Sequence, residues 1–172
     1  RDLVRSRGLG DVYKRQTVGK ICGMERAMKS GLGMYAVELG ELRMAAVVAV
    51  NALGDIFDPS TGKKIAGLLT ADGTSFGDSC EELWKMGRRE NLFTGNTTIG
   101  AVFTNGKFNK AQMNKIASMT RNAYARCINP VGTMADGDSI YAASAGDVEA
   151  DLNVAGTLAA YVMERAIVAA IR

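Results

Sequence analysis

Residues 95–104 read GNTTIGAVFT, and this stretch decides how the chain is organised. Glycine and asparagine are typical of a turn, whereas threonine and the apolar run AVF favour a strand. The stretch therefore predicts a strand that begins at the end of a sheet, directly after a turn at Gly95 and Asn96. Taken alone, the two threonines behind the asparagine favour an ordinary turn over a functional site.

The chain beyond this strand predicts an alternation of helices and a strand. Residues 109–128 repeat apolar side chains at helical spacing, and Asn109 and Gln112 form the pattern of a capping box. Pro130 ends this helix. Residues 140–145, IYAASA, predict a strand, and residues 152–171 predict a second helix with one apolar stripe.

The chain before residue 95 predicts strands at 33–39 and 43–51, the second of which is an apolar run suited to burial on both faces. Residues 53–64 indicate the end of a strand and a tight turn, and residues 80–87 a possible helical turn. The long polar segment 66–96 is of a kind that is usually functional or mobile. One-sided helices and apolar strands favour an α/β fold in which helices cover a sheet.

Composition limits the class of protein. A chain of 172 residues with 47% apolar residues fits one globular domain, and its three separated cysteines form no metal or disulfide pattern. Reduced thiols indicate a cytoplasmic protein. The net charge of +3 is carried entirely by residues 1–16, so residues 17–172 carry no basic stripe of the kind that nucleic-acid binders show.

Residues 1–16 have neither an apolar core nor a cleavage site, so they predict no signal peptide and no membrane span. They resemble a translated sequencing adaptor and are left out of the fold prediction as a non-native leader. We accordingly expect residues 17–172 to form a single domain fragment, the C-terminal portion of a longer precursor.

The sequence contains no histidine. This excludes Ser-His-Asp and Cys-His catalytic groups and metal sites with histidine ligands within the chain. Acyl transfer would then need lysine, a carboxylate or a free α-amine as its base. An α-amine has an ordinary pKa of about 7.7 to 8.0, which suits general-base catalysis near neutral pH.

A threonine acquires its own α-amine only at the start of a chain. An internal threonine reaches that state when its hydroxyl attacks the preceding carbonyl and the peptide bond breaks. The bond between Asn96 and Thr97 is the candidate here, and the long polar segment before it is suited to present it. Thr98 is the alternative nucleophile, but Thr97 is favoured because Asn96 directly precedes it.

Four stretches, TVGKICGMERAMKSGLG, VAVNALGDIFDPSTGKKIAG, GNTTIGAVFTN and DGDSIYAASAG, resemble the L-aminopeptidase/D-esterase family in order and spacing. That family includes β-peptidyl aminopeptidases, and the resemblance covers residues 17–172. It implies a self-cleaving precursor with a layered αββα sandwich similar to N-terminal-nucleophile hydrolases but connected differently. It also implies an oligomer, small peptide, amide or ester substrates, and no cofactor or metal.

The resemblance places four site residues. Thr97 matches the nucleophile, and Asn51 matches the asparagine that helps to bind the oxyanion. Asp136 and Asp138 match polar and acidic positions beside the nucleophile and are candidates to hold the substrate's ammonium group. Asn51 is equally able to cap a strand turn, and the two aspartates to form an ordinary turn around Gly137.

Two departures from the family pattern concern the substrate. The family's usual first portion, which contributes strands and pocket residues, is absent, and many relatives carry a histidine where this chain has Gly132 and Thr133. The sequence thus predicts a self-cleaving aminopeptidase that uses Thr97. The alternatives are an acyltransferase of the ornithine acetyltransferase type and an inactive fragment.

Overall fold

The computed structural model describes residues 16–87 and 95–171. The strands in these residues are β1 (Thr17–Val18), β2 (Met28–Lys29), β3 (Leu32–Leu39), β4 (Leu42–Ala49), β5 (Asp55–Asp58), β6 (Lys63–Ala66), β7 (Ile99–Gly106), β8 (Ile128–Asn129) and β9 (Ser139–Val148). The α-helices are α1 (Ser79–Met86), α2 (Lys110–Cys127) and α3 (Leu152–Ala169), and a short 3-10 helix spans Met24–Arg26.

The largest sheet has four strands in the order β3-β4-β7-β9. The pairs β3–β4 and β4–β7 are antiparallel, whereas β7 and β9 run parallel. A parallel pair needs a crossover connection, and α2 supplies it. Two smaller sheets, β1-β2 and β6-β5-β8, complete the strand pairing. The beginnings of β7 and β9 therefore lie side by side at one end of the main sheet.

Helices α2 and α3 pack against each other and over one face of the main sheet. Strand β4 turns alternate side chains toward them, so that Leu42, Met44, Ala46 and Val48 are buried. Small residues let α3 lie close to the sheet: a Cβ added to Gly33 would stand 1.8 Å from the carbonyl oxygen of Ala166. The core therefore lies between the helices and this face of the sheet.

The helices begin at the capping residues that the sequence offers. Asp78 accepts two backbone N–H groups at the start of α1, and Asp151 does the same for α3. Asn109 and Gln112 form the predicted capping box at the start of α2. Each cap satisfies N–H groups that have no partner inside the helix.

The sequence-based elements are confirmed with small shifts of their ends. One prediction needed correction. The strand predicted at 43–51 is fully buried only on the helix side, because the described residues place no layer on its other face. The segment 66–96 contains α1 and the Leu69–Phe76 bridge, while its residues 88–94 lie outside the described part.

The face of the main sheet opposite the helices is apolar and exposed among the described residues. Met34, Ile99, Phe103 and Tyr141 are all at least 49% exposed, and the strand register places them on this one face. A patch of this kind marks a surface that packs against another layer. Helix α3 is long and apolar enough to cross a membrane by length and composition, but 56% of its apolar window is buried, as in a core helix.

Candidate active site

Thr97 lies directly before the central strand β7, where the chain enters the sheet. Its N–H donates to the carbonyl oxygen of Asn51 at 2.9 Å, and its hydroxyl donates to the carbonyl oxygen of Asn96 at 2.6 Å. The Thr97 side chain is half-buried, whereas Asn96 is only 1% exposed. The hydroxyl of Thr97 is thus held against the carbonyl group that it is predicted to attack.

The carbonyl oxygen of Asn96 has a second donor, the N–H of Gly137, at 2.9 Å. Backbone N–H groups aimed at a carbonyl oxygen stabilise the negative charge that develops there during attack. Gly137 also lies against the Thr97 hydroxyl, because a Cβ at this position would stand 2.8 Å from Thr97 Oγ1. Glycine is therefore required for the loop to approach this closely.

Asn51 follows strand β4, and its side-chain amide forms hydrogen bonds at both its oxygen and its nitrogen. Its side-chain oxygen Oδ1 accepts a hydrogen bond from Lys20 Nζ at 2.8 Å and one from the N–H of Thr17 at 3.3 Å. These contacts orient the amide, so Nδ2 points the other way and donates to the carbonyl oxygen of Gly95 at 2.9 Å. In the uncut chain, Asn51 therefore donates to the carbonyl of Gly95, and Gly137 donates to the carbonyl of the next residue, Asn96.

Lys20 is a component of this cluster that sequence reasoning missed. Its side chain is buried, with 1% exposure, and Nζ lies 3.4 Å from the carbonyl oxygen of Asn51 in addition to its contact with Oδ1. Burial lowers the pKa of Lys20 to about 8, and the nearby charge of Asp136 offsets part of that effect. The signal in the sequence is one lysine between Gly19 and the apolar pair Ile21 and Cys22, which is too slight to identify a buried amine.

Asp136 and Asp138 lie on either side of Gly137, close to Thr97, and have separate partners. Asp138 Oδ1 accepts the N–H of Thr98 at 2.8 Å, and burial raises the pKa of the Asp138 carboxyl. Asp136 Oδ2 accepts the N–H and the hydroxyl of Thr133 at 2.9 and 2.8 Å. Thr133 therefore orients Asp136 toward the cluster.

The two threonines differ in what their hydroxyl groups contact. Thr98 is completely buried, and its hydroxyl accepts the N–H of Asn51 at 3.4 Å. Thr97 reaches the carbonyl of Asn96. The geometry therefore favours Thr97 as the nucleophile.

All four predicted site residues meet in this one cluster. Within residues 16–87 and 95–171, no group of three or more cysteine, aspartate or glutamate side chains is arranged to hold a metal ion. The groups present are one hydroxyl, one amine of lowered pKa, one side-chain amide, two carboxylates and a backbone donor. Such a set is suited to nucleophilic acyl transfer.

Comparison with known proteins identifies the family. Residues 16–172 match the sequence profile of peptidase family S58. An uncharacterized aminopeptidase of Mycobacterium leprae is 31% identical over 137 residues, which span 78% of this chain and 38% of that protein. A 6-aminohexanoate-oligomer endohydrolase of Kocuria sp. is 27% identical over 135 residues, spanning 77% and 38% of the two chains.

Two solved structures share the fold. The L-aminopeptidase D-Ala-esterase/amidase of Ochrobactrum anthropi, described as a variant of the Ntn hydrolase fold, superposes with a TM-score of 0.55 at 15% identity, over 90% of this chain and 41% of its own. A β-aminopeptidase of Burkholderia sp. gives a TM-score of 0.54 at 14% identity, over 91% and 44%. The predicted α/β fold related to N-terminal-nucleophile hydrolases is confirmed.

The chain spans about two-fifths of the length of the curated relatives that it matches. The match to the family profile nevertheless covers residues 16–172, nearly all of the chain, including every residue of the cluster around Thr97. The chain therefore belongs to peptidase family S58.

Proposed function

We propose that this chain carries the nucleophile of a self-cleaving aminopeptidase, which cuts its own Asn96–Thr97 bond and then uses the new N-terminal Thr97. The observation that carries the proposal is the pair of contacts on the Asn96 carbonyl oxygen, from Thr97 Oγ1 at 2.6 Å and from the Gly137 N–H at 2.9 Å. The first contact brings the attacking hydroxyl to the carbonyl group, and the second stabilises the negative charge that the attack creates on the carbonyl oxygen.

In the first stage, Thr97 Oγ1 forms a bond to the carbonyl carbon of Asn96, and the bond from that carbon to Thr97 N breaks. The hydroxyl proton passes to a base and then to Thr97 N, which leaves as an amine. Water hydrolyses the resulting ester, which restores the hydroxyl and leaves Asn96 with a free carboxylate. The products are residues 1–96 and residues 97–172.

Lys20 is the base for this first stage. Lys20 Nζ and Thr97 N share one acceptor, the carbonyl oxygen of Asn51, at 3.4 and 2.9 Å. The amine is therefore placed beside the nitrogen that must receive the proton. With a pKa of about 8, about a tenth of Lys20 is neutral at pH 7, compared with less than about a thousandth for an ordinary lysine.

In the second stage, the free α-amine of Thr97 is the base for its own hydroxyl, which attacks the amide or ester of a small substrate. Departure of residues 95 and 96 leaves Asn51 Nδ2 available to donate to the substrate's carbonyl oxygen. Removing one such donor typically costs about 3 to 4 kcal/mol of barrier. Asp136 or Asp138 holds the ammonium group of the substrate, which would favour substrates with a free amine.

Relatives support small amides as the substrate class. The names of the matched proteins include aminopeptidases, a β-aminopeptidase and an endohydrolase of 6-aminohexanoate oligomers. The amide bond is common to these substrates, whereas the distance between amine and amide differs. We therefore propose hydrolysis of amide bonds in short chains of amino acids.

Intact-mass spectrometry tests the first stage. The wild-type chain is expected to yield two fragments that meet between Asn96 and Thr97, and Thr97→Ala to remain whole. The matched control is Thr98→Ser, which keeps a hydroxyl at the neighbouring position and should still be cut at the same bond. Cleavage of Thr97→Ala at an unchanged rate would refute the assignment.

Aminoacyl anilides test the second stage, because hydrolysis releases a coloured amine. Wild type that has been cut should release the amine, and Thr97→Ala should not. An acyltransferase of the ornithine acetyltransferase type would instead transfer the acetyl group from acetylornithine to glutamate. Transfer of the acetyl group to glutamate, without hydrolysis of the aminoacyl anilides, would contradict the proposed hydrolase.

A further inference from the structure

A cavity of about 270 Å³ lies between α2 and the beginning of the edge strand β9. Its lining residues are Ala117, Ser118, Arg121, Tyr124, Asp138 and Ile140. The volume is slightly below the range of about 300 to 1,000 Å³ that is usual for small-molecule sites, so it suits a ligand of the size of an amino acid. The mechanism described above uses only one of these residues, Asp138.

Asp138 joins this cavity to the active site. Its carboxylate lines the cavity while Oδ1 accepts the N–H of Thr98, the residue after the nucleophile. Gly137, the residue before Asp138, donates to the Asn96 carbonyl. A ligand that contacts Asp138 therefore touches a residue that is bonded to Gly137 along the chain and hydrogen-bonded to Thr98, the neighbour of Thr97.

Arg121 places the opposite charge on the same cavity. The residue is exposed, and its guanidinium lies near Gly132, where an added Cβ would stand 3.2 Å from Nη2. Arg121 and Asp138 both line the cavity, but no salt bridge joins them; the salt bridges among the described residues lie elsewhere. Arg121 and Asp138 therefore place opposite charges on one cavity without forming a direct ion pair.

The chemistry of these walls selects a ligand with two charges. A lone anion would be repelled by Asp138, and a lone cation by Arg121, whereas a zwitterion satisfies both. Arginine is suited to the carboxylate end because its planar guanidinium donates two parallel hydrogen bonds. The hydroxyl of Ser118 is a further polar group on the wall.

We propose that this cavity binds an amino acid or short peptide as a zwitterion, with its carboxylate on Arg121 and its ammonium group on Asp138. The proposal rests on the proposed function in taking the ligand to be a peptide whose free carboxylate lies beyond the amide that Thr97 attacks, or an amino acid that Thr97 has already released. It adds a specificity-determining residue, Arg121. Substrates or products with a free carboxylate should bind better than their amides.

Binding is measured by NMR on Thr97→Ala, whose chain stays whole and does not turn over a ligand. The probes are alanine, with both charges; alaninamide, with the ammonium group only; and N-acetylalanine, with the carboxylate only. Alanine should shift the side-chain Nε–H resonance of Arg121, and each singly charged probe should bind at least about ten-fold more weakly. β-Alanine and 6-aminohexanoate in parallel measure which spacing of the two charges fits.

Variants in the Thr97→Ala background separate the role of Arg121 from a general effect of charge. Arg121→Gln should weaken alanine binding by about 10- to 100-fold, and Arg121→Lys by less. The matched control is Lys115→Gln, which removes one exposed positive charge from the same helix and should leave binding unchanged. Circular dichroism confirms that each variant is folded.

Equal affinity for alanine, alaninamide and N-acetylalanine would overturn the proposal, as would full binding by Arg121→Gln. The result is independent of self-cleavage, because it is read in the uncut chain. Wild type that remains uncut while alanine still shifts Arg121 would refute the proposed function and still support the binding site. If wild type is cut but alanine does not bind in the cavity, the result would support the proposed function and refute the binding site.

Discussion

Substitution of Gly137 by alanine tests whether the contact between Thr97 and Asn96 is the productive one. The new Cβ would stand 2.8 Å from Thr97 Oγ1, which is closer than ordinary van der Waals contact. Thr97 must then rotate its hydroxyl away, and the 2.6 Å contact with Asn96 is lost. The backbone at Gly137 is outside the left-handed region that favours glycine, so alanine fits the main chain without strain.

The expected magnitude follows from this displacement. A shift of about 1 Å in a reacting group lowers the rate by as much as about 100-fold. The Gly137 N–H remains able to donate to the Asn96 carbonyl, so only the position of the hydroxyl is changed. Stability should change little, because Gly137 lies in an exposed loop and the atom it meets belongs to a side chain that is free to turn.

The assay is a time course of self-cleavage after refolding, followed by gel electrophoresis and mass spectrometry, with thermal unfolding measured in parallel. The control is Gly31→Ala, where the added Cβ meets its nearest neighbour, the Ala170 carbonyl oxygen, at 3.4 Å. Gly31→Ala should be cut at the wild-type rate. Cleavage of Gly137→Ala at the wild-type rate would show that the observed hydroxyl position is not the reactive one.

Four further predictions concern charge and exposed surface. The rate of self-cleavage should rise with pH up to about 8 and level off above it, because the pKa of Lys20 is lowered to about that value; Lys20→Met should remove this dependence. The same shift means that the unfolded chain binds the additional proton above pH 8, so Lys20 should make the free energy of unfolding increase with pH there. Asp55→Ala should reduce that free energy by about 3 to 5 kcal/mol in urea titrations, because it removes the buried carboxylate that accepts from the N–H of Leu68, the N–H and hydroxyl of Ser79 and partly buried Lys64. Lys85→Ala, in an exposed ion pair, should have no measurable effect. Phe103→Lys should reduce the binding of a hydrophobic dye to the exposed sheet face, and unchanged binding would place the dye elsewhere.

The sequence predicted the elements whose local signals agree with their tertiary setting. Helix α2 has both an apolar period and a capping box, and each of its ends lies within one residue of the prediction. Strand β4 was located correctly, but its two-sided burial was not, because an apolar run does not say whether a second layer covers it. The short strands β1 and β2 were missed because two-residue strands leave no periodic pattern.

The sequence indicated those members of the cluster whose chemistry lies in a residue type and its order or in a family motif. Thr97 carries a signal of its own, a hydroxyl directly after asparagine, whereas the resemblance to a known family indicated Asn51. Lys20 and Gly137 carry no such signal, because the role of Lys20 depends on burial and that of Gly137 on one backbone N–H. Both depend on tertiary contacts that bring distant stretches of the chain together, which a linear pattern does not contain.

The uncut chain holds its own backbone where a substrate would have to lie. Gly137 donates to the carbonyl of Asn96, and Asn51 donates to the carbonyl of Gly95, so both donors are engaged by the segment before the predicted cut. On the proposed mechanism, breaking the Asn96–Thr97 bond therefore has two effects. It gives Thr97 its amine, and it allows the two donors to turn from the chain's own carbonyls to those of another molecule. Hydrolysis of substrate is thus expected to begin only after self-cleavage, because the same few groups serve both reactions in succession.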